Sequence, residues 1–269
     1  MPTSQRARRL PRAASRSISA VLPAYNEEAL IEQTVRRVAD VLGRLVRDFE
    51  IVVTNDGSRD RTGEILACLQ ATEPGLHLRV VTHPSNQGYG AALASGFDAA
   101  TSELILLLDA DGQFDVDEVV YLLAAMHDQT DLVIGYRARR ADPPMRLLNA
   151  WGWKQLVNGL FGYTARDVDC AFKLFRRRVW QSLTVESRGA TFSAEFLIKA
   201  RRLGFRVKEL PVSHFPRTAG SPTGAHPRVI ARALLELIHL RLRLEGDLTQ
   251  HQNARGRPQT DQAPLARAA

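Results

Sequence analysis

The chain has 269 residues, 45% of them hydrophobic, only two cysteines, and a formal net charge of +7. That length carries one large globular domain or two small ones, and two cysteines exclude a disulfide framework or a cysteine-based metal site. Residues 1–16 hold five Arg and no acid, 227–246 carry two surplus positive charges and 247–269 one, which leaves 17–226 near −1.

A nucleic-acid-binding core would itself be basic, so no nucleic acid is expected as a partner. A basic fringe on a near-neutral domain suits an anionic membrane surface, or simply solubility. No apolar run approaches the roughly 18–20 residues needed to span a bilayer, and no signal-peptide core follows the basic start. The expected setting is reducing and cytoplasmic, with peripheral association at the cytoplasmic face of a membrane.

In chain order, residues 1–16 lack apolar periodicity and read as a disordered basic tail. Ser17–Leu22 predicts a strand stopped at Pro23, and Asn26 is placed to cap a helix from Glu27 to about Val46. A strand at Glu50–Thr54 ends in Asn55-Asp56-Gly57-Ser58, with a helix over about 60–71. A strand at Leu78–Thr82 leads into Asn86-Gln87-Gly88-Tyr89-Gly90 and a helix to about Ala100. Leu104–Leu108 is a fourth strand, Asp115–Asp128 a helix and Asp131–Gly135 a fifth strand.

Beyond Gly135 the pattern loosens. Tyr136–Arg146 is an Arg-rich loop containing Arg137, Arg139, Arg140 and Arg146. Helices are expected at Met145–Phe161 and Phe192–Leu203, and strands at Cys170–Phe175 and Phe205–Leu210, the last stopped by Pro211. Pro227–Glu245 reads as a basic amphipathic helix, with Arg228, Arg232, Glu236, His239 and Arg243 on one face and Ile230, Leu234, Leu237 and Ile238 on the other. Such a helix either lies in a membrane interface or packs on the domain. Residues 247–269 read as a second disordered tail.

Strands alternating with helices predict an α/β fold with a mostly parallel, Rossmann-like sheet covered by helices on both faces. The loops after the strands then gather on one edge, where such folds bind ligands. The most informative of them is Asp109-Ala110-Asp111-Gly112-Gln113. Two carboxylates at i and i+2 where a buried strand ends can converge on a hard cation, Mg²⁺ or Mn²⁺, or can merely end the strand and cap the next helix. Gly88-Tyr89-Gly90 begins like a dinucleotide fingerprint, but position 93 is Leu and the motif follows the third strand, so an oxidoreductase reading is disfavoured.

In combination, Leu22-Pro23-Ala24-Tyr25-Asn26-Glu27-Glu28, Asn55–Asp60, Asn86–Gly96, Asp109–Gln113, Gly135-Tyr136-Arg137 and Asp167–Phe175 resemble the family-2 glycosyltransferases of GT-A fold. Within that family the chain looks most like the dolichyl- or polyprenyl-phosphate mannose synthases and their glucose-transferring relatives, over about residues 17–226. The resemblance implies an inverting, metal-dependent enzyme moving a hexose from a nucleotide sugar (GDP-mannose first, a UDP-hexose next) to polyprenyl phosphate at a membrane surface. It implies that Pro23, Tyr25, Glu27, Asp56 and Gly88 bind the donor, with Glu27 on the ribose and Asp56 on the base. Asp109, Asp111 and Gln113 would hold Mg²⁺ or Mn²⁺, and Arg137, Arg146 and Arg217 would grip phosphate.

A phosphomonoester acceptor is already anionic, so arginines can replace a general base. A hydroxyl acceptor would need one, and Asp167, Asp169 and Glu195 are the candidates; Asp169 is placed at the site edge. Their alternatives are salt bridges to the Arg176–Arg178 cluster or to Lys199. A nucleotidyltransferase is disfavoured because the first-strand loop lacks a Gly-rich, Lys-containing phosphate cradle.

Overall fold

The computed structural model describes residues 16–139, 144–217 and 233–244, excluding the side chains of Pro144 and Arg146. The expectations for residues 1–15, Arg140, residues 227–232 and the tail at 247–269 lie outside them.

Seven strands form one sheet: β1 (Ile18–Ala24), β2 (Phe49–Asn55), β3 (Leu78–Thr82), β4 (Leu104–Leu107), β5 (Leu132–Arg137), β6 (Lys173–Arg176) and β7 (Val207–Val212). The order is β3-β2-β1-β4-β6-β5-β7, and only β6 runs antiparallel to its neighbours. β1 and β4 are the middle pair, Ile18 beside Leu104 and Val21 beside Leu107. β4 is an unbroken apolar run and β1 is apolar but for the buried Ser19, because central strands are buried on both faces.

Between them run α1 (Ile31–Leu45), α2 (Thr62–Thr72), α3 (Tyr89–Ala99), α4 (Val119–Ala125), α5 (Pro144–Phe161), α6 (Arg177–Gln181) and α7 (Phe192–Arg202). A last helix, α8, covers 233–244. The chain reverses across the sheet between β3 and β4, so right-handed crossovers put α1 and α2 on one face and α3 on the other. α1 buries Ile31, Val35, Val38 and Leu42, a stripe at helical spacing. Phe97, Phe175, Trp180, Phe192 and Phe196 interlock α3, β6, α6 and α7, with Phe97 and Phe175 edge-to-face at 5.2 Å.

Several boundaries differ from the sequence expectation. Asn26 does not cap α1: it sits at φ +56° and its Oδ1 accepts from the Arg59 amide at 2.8 Å, so the helix begins five residues later. Pro23 lies inside β1 and Pro211 inside β7; β7 is an edge strand paired only with β5, where a missing amide is tolerated. Asp115 caps a short 3₁₀ turn rather than a long helix, which leaves α4 at seven residues. Cys170–Phe172 precedes β6 as irregular chain, because Lys173 Nζ folds back onto the carbonyl oxygens of Val168 and Cys170. Arg16 belongs to the domain rather than to a free tail, donating to the Met126 carbonyl at 2.5 Å.

The last helix departs most. Its buried positions are Ala233, Leu237, Leu240 and Leu244, so Leu237 alone of the expected apolar set faces the protein among the described residues. Leu234, Leu235, Ile238 and Leu242 are exposed. On the polar side, Glu236 accepts from the Thr191 hydroxyl and Arg243 pairs with Glu186. Leu237, Leu240 and Leu244 together with these polar contacts dock one side of the helix, and the other leucines stay outside.

Candidate active site

The polar loops converge as parallel-sheet topology requires. β1 and β4 are neighbours from which the chain departs in opposite directions, and a crevice opens between their carboxyl ends. Pro23, Tyr25, Glu27, Asp56, Gly88, Asp109, Asp111, Gln113, Arg137, Asp169 and Arg217 all line one cleft of about 1070 Å³. Of the expected site residues, only Arg146 cannot be placed, since its side chain lies outside the described residues.

One end of the cleft is built by Asp56, which is 3% exposed. Its Oδ1 accepts from the Gln87 amide at 2.9 Å and from His83 Nδ1 at 2.7 Å, and its Oδ2 accepts from the Gly88 amide at 3.0 Å. These bonds hold the loop that opens α3. Gly88 is required there: it sits at φ +102°, and a Cβ would lie 2.7 Å from the Arg188 carbonyl oxygen.

In the middle stand Asp109 and Asp111. Burial and the neighbouring Asp111 charge push the Asp109 carboxyl up to about 7, while the Tyr89 hydroxyl, 3.0 Å away, opposes the shift. Asp111 Oδ1 accepts from the Gln113 amide, and its Oδ2 lies 3.8 Å from Arg217 Nη1. Arg217 also donates to Glu27 Oε1 at 2.5 Å. Burial raises the Glu27 pKa, and Arg217 counters it. Gln113 lines the same corner, but its side-chain amide donates to the Phe215 carbonyl at 3.0 Å and its own carbonyl accepts from the Phe215 amide. That clasp fastens the loop carrying Arg217.

A divalent cation fits this corner by its donor set. Among the described residues no cluster of three or more His, Cys, Asp or Glu could hold a metal. Two carboxylates leave most coordination positions for other oxygens, the arrangement Mg²⁺ and Mn²⁺ accept when a diphosphate supplies the rest.

Arg137 closes the third side. Its Nε and Nη2 each donate to an oxygen of Asp167 at 2.7 Å, with both side chains nearly buried. Burial pulls the guanidinium pKa down, and the Asp167 carboxylate more than offsets it. Asp167 therefore pairs with Arg137 rather than with the Arg176–Arg178 cluster. Glu195 is fully buried, accepts from the Glu186 and Ser187 amides and pairs with Lys199 at 2.6 Å. It does not line the cleft, so its salt-bridge reading is the one found. Asp169 is exposed at the cleft edge.

Sequence reasoning missed several contributors. Lys173 is buried behind Asp109, its ammonium pKa lowered by burial against the opposing charges of Cys170, Asp169, Asp167 and Asp109. Nothing in the linear pattern separates it from an ordinary strand lysine. His83, Tyr89, His214 and Arg188 were missed too, His83 lying behind Asp56 and the other three in the cleft wall. Part of the cleft lining is apolar: Leu148, Trp151, Trp153 and Leu156 of α5 and Leu234 of α8. Trp151 and Leu148 are more than half exposed.

The family model for glycosyl transferase family 2 matches residues 19–184. The chain belongs to this family. Among its family-2 relatives, a dolichyl-phosphate beta-glucosyltransferase of Trichomonas vaginalis is 34% identical over 216 residues, covering 74% of this chain and 66% of its own. An undecaprenyl-phosphate 4-deoxy-4-formamido-L-arabinose transferase of Enterobacter sp. is 30% identical over 213 residues, covering 79% of this chain and 64% of its own. The chain thus spans slightly less than two thirds of the length of these curated relatives. Glucosyl-3-phosphoglycerate synthase from Mycobacterium tuberculosis, crystallised with Mn²⁺, UDP and phosphoglyceric acid, superposes with a TM-score of 0.64 at 20% identity, covering 84% of this chain and 79% of that one. The likeness shows a shared fold, the GT-A fold, with the seven-stranded, mostly parallel sheet described above. Among the described residues no helix is long and apolar enough to cross a membrane.

Proposed function

We propose that this chain is an inverting, metal-dependent glycosyltransferase that moves a hexose from a nucleoside-diphosphate sugar to polyprenyl phosphate at the cytoplasmic face of a membrane. The observation that carries the reading is a single cleft lined both by carboxylates and by the apolar side chains Leu148, Trp151, Leu156 and Leu234. A nucleotide sugar suits the first and an isoprenoid chain the second. The exposed leucines of α8 continue the apolar rim and suit a lipid surface.

In this reading Pro23, Tyr25, Glu27, Asp56 and Gly88 seat the nucleoside, and Asp109 and Asp111 are the residues that would hold Mg²⁺ or Mn²⁺. A divalent metal supplies charge stabilisation for the departing diphosphate. An acceptor phosphate oxygen forms the bond to the anomeric carbon from the far face. The carbon–oxygen bond to the diphosphate breaks, and the electron pair leaves with the nucleoside diphosphate. Arg137, held flat by Asp167, keeps Nη1 for a phosphate oxygen, and Arg146 and Arg217 are proposed beside it. A hydroxyl acceptor is disfavoured because two of its three expected bases, Asp167 and Glu195, are committed to buried salt bridges. The names of these two relatives give a glucosyl and a formamido-arabinose transfer and no mannosyl transfer, and the structural neighbour was crystallised with UDP, so glucose on UDP is favoured over GDP-mannose.

Incubation with polyprenyl phosphate and radiolabelled UDP- and GDP-sugars, with and without Mn²⁺, tests the reading. Label is expected in the organic phase, only with metal. Label found only on water-soluble hydroxyl acceptors would reject the lipid phosphate.

The raised Asp109 carboxyl adds a pH signature. In the metal-free protein its stabilising contribution is complete below the ordinary carboxylate range and is lost as pH rises through about 7. Metal binding demands the ionised form, so Mn²⁺ affinity should fall by up to about tenfold per pH unit below that point. The Tm increment produced by Mn²⁺ should therefore be small at pH 5.5 and large at pH 8. The reverse trend would place the metal elsewhere.

A further inference from the structure

The backbone around Arg188 is fixed from several sides, yet its side chain pairs with nothing in the protein. Glu195, fully buried and paired with Lys199, accepts from the Glu186 amide at 3.1 Å and from the Ser187 amide at 2.9 Å. The Arg188 carbonyl accepts from the Ala91 amide in the first turn of α3 at 3.2 Å. Two glycines permit that approach: a Cβ on Gly88 would lie 2.7 Å from the Arg188 carbonyl oxygen, and one on Gly90 2.8 Å from its carbonyl carbon. Beyond Arg188, the Thr191 hydroxyl donates to Glu236. The side chain held in this way is exposed in the cleft wall. Glu27, Asp56, Asp109, Asp111, Asp169 and Glu236 line the same cleft, but among the described residues Arg188 forms an ion pair with none of them. The other two arginines lining it are engaged, Arg137 by Asp167 and Arg217 by Glu27.

We infer that Arg188 binds a phosphate oxygen of a substrate, as a cation additional to Arg137, Arg146 and Arg217. The inference rests on the reading above, which brings a diphosphate and a phosphomonoester into this cleft. Solvation alone would suffice for an exposed arginine on a loose loop. It gives no reason for a buried carboxylate and two glycines to fix the backbone of that residue, since burying Glu195 carries a desolvation penalty and Gly88 holds a positive φ that most side chains avoid. A preset backbone lowers the ordering cost of binding. A guanidinium fork matches phosphate oxygens in shape and charge. The cleft lining is acidic overall, so a substrate bearing several negative charges is repelled wherever no cation faces it. Arg188 brings a charge that no carboxylate of the protein offsets. The donor diphosphate and the acceptor phosphate offer it the same chemistry, and the test separates them.

Arg188→Gln in the full chain tests this by calorimetric titration with UDP and with uridine in the presence of Mn²⁺, read beside the KM for polyprenyl phosphate. Loss of a charge-assisted bond is expected to weaken one phosphate-bearing ligand by about tenfold to a hundredfold. The Tm should stay that of the wild type, because the side chain removed is exposed and without a partner. Weaker UDP binding with uridine unaffected assigns the contact to the donor diphosphate. Unchanged UDP binding with a raised KM for polyprenyl phosphate assigns it to the acceptor. Arg188→Lys should recover part of the loss, as a point charge without the fork. Unchanged UDP affinity together with an unchanged acceptor KM in Arg188→Gln would overturn the inference, and so would a loss for uridine equal to that for UDP, which marks a structural role. A wild-type chain that neither binds UDP nor uses polyprenyl phosphate would instead overturn the glycosyltransferase reading, and this inference with it.

Discussion

Asp111→Asn should lower sugar transfer by about a thousandfold while leaving the fold intact. The Asp111 carboxylate makes one hydrogen bond to the backbone, from the Gln113 amide to Oδ1, and an asparagine carbonyl accepts the same bond. What the substitution removes is one of two charges aimed at the proposed cation. A neutral amide oxygen is a weaker ligand for a hard metal, and the departing diphosphate then develops charge without its partner. The measurement is label transfer across a Mn²⁺ titration, with thermal denaturation as the fold control. The variant should need far more metal and still not recover the wild-type rate. A wild-type rate at the wild-type metal concentration would remove Asp111 from the chemistry.

Arg137→Ala should both unfold the protein more easily and cripple use of the acceptor. Arg137 and Asp167 form a two-point ion pair, with side chains 7% and 11% exposed. Removing one member of a buried pair strands the other, at about 3–5 kcal/mol. For a domain of this size that corresponds to a Tm lower by roughly 6–20 °C. The acceptor KM should rise while donor affinity is kept, because the guanidinium is proposed to grip the acceptor phosphate. Arg137→Lys should recover charge but not the flat two-point grip, and so recover stability only in part. An unchanged Tm together with an unchanged acceptor KM would contradict both roles.

Much of this architecture was legible in the linear chain. The apolar run of β4 ending in Asp109-Ala110-Asp111 marked both a central strand and the site at its end, because buried parallel strands announce themselves by continuous hydrophobicity. Alternation of strands and helices then brought the polar loops to one edge. Side-chain partnership was not legible. Glu195 and Asp169 are both carboxylates near basic residues in sequence, yet one is a fully buried strut and the other lies at the cleft edge. Gln113 sits in the metal-like motif but clasps Phe215, a residue 102 positions away.

Sequence by itself determined the periodicities, and hence the elements, the sheet class and which loops share an edge, since these follow from local sterics and the burial of apolar stripes. It also carried the motif pattern that marks the family. Tertiary structure alone decided which lone pairs are already spent: His83 on Asp56, Asp167 on Arg137, Lys199 on Glu195. It also decided which leucines of α8 face water, because hydrophobicity says that a side chain prefers burial but not whether a neighbour exists to bury it. Hydrogen bonds and ion pairs act over a few ångströms between residues far apart in the chain, so their pairing exists only once the backbone has closed.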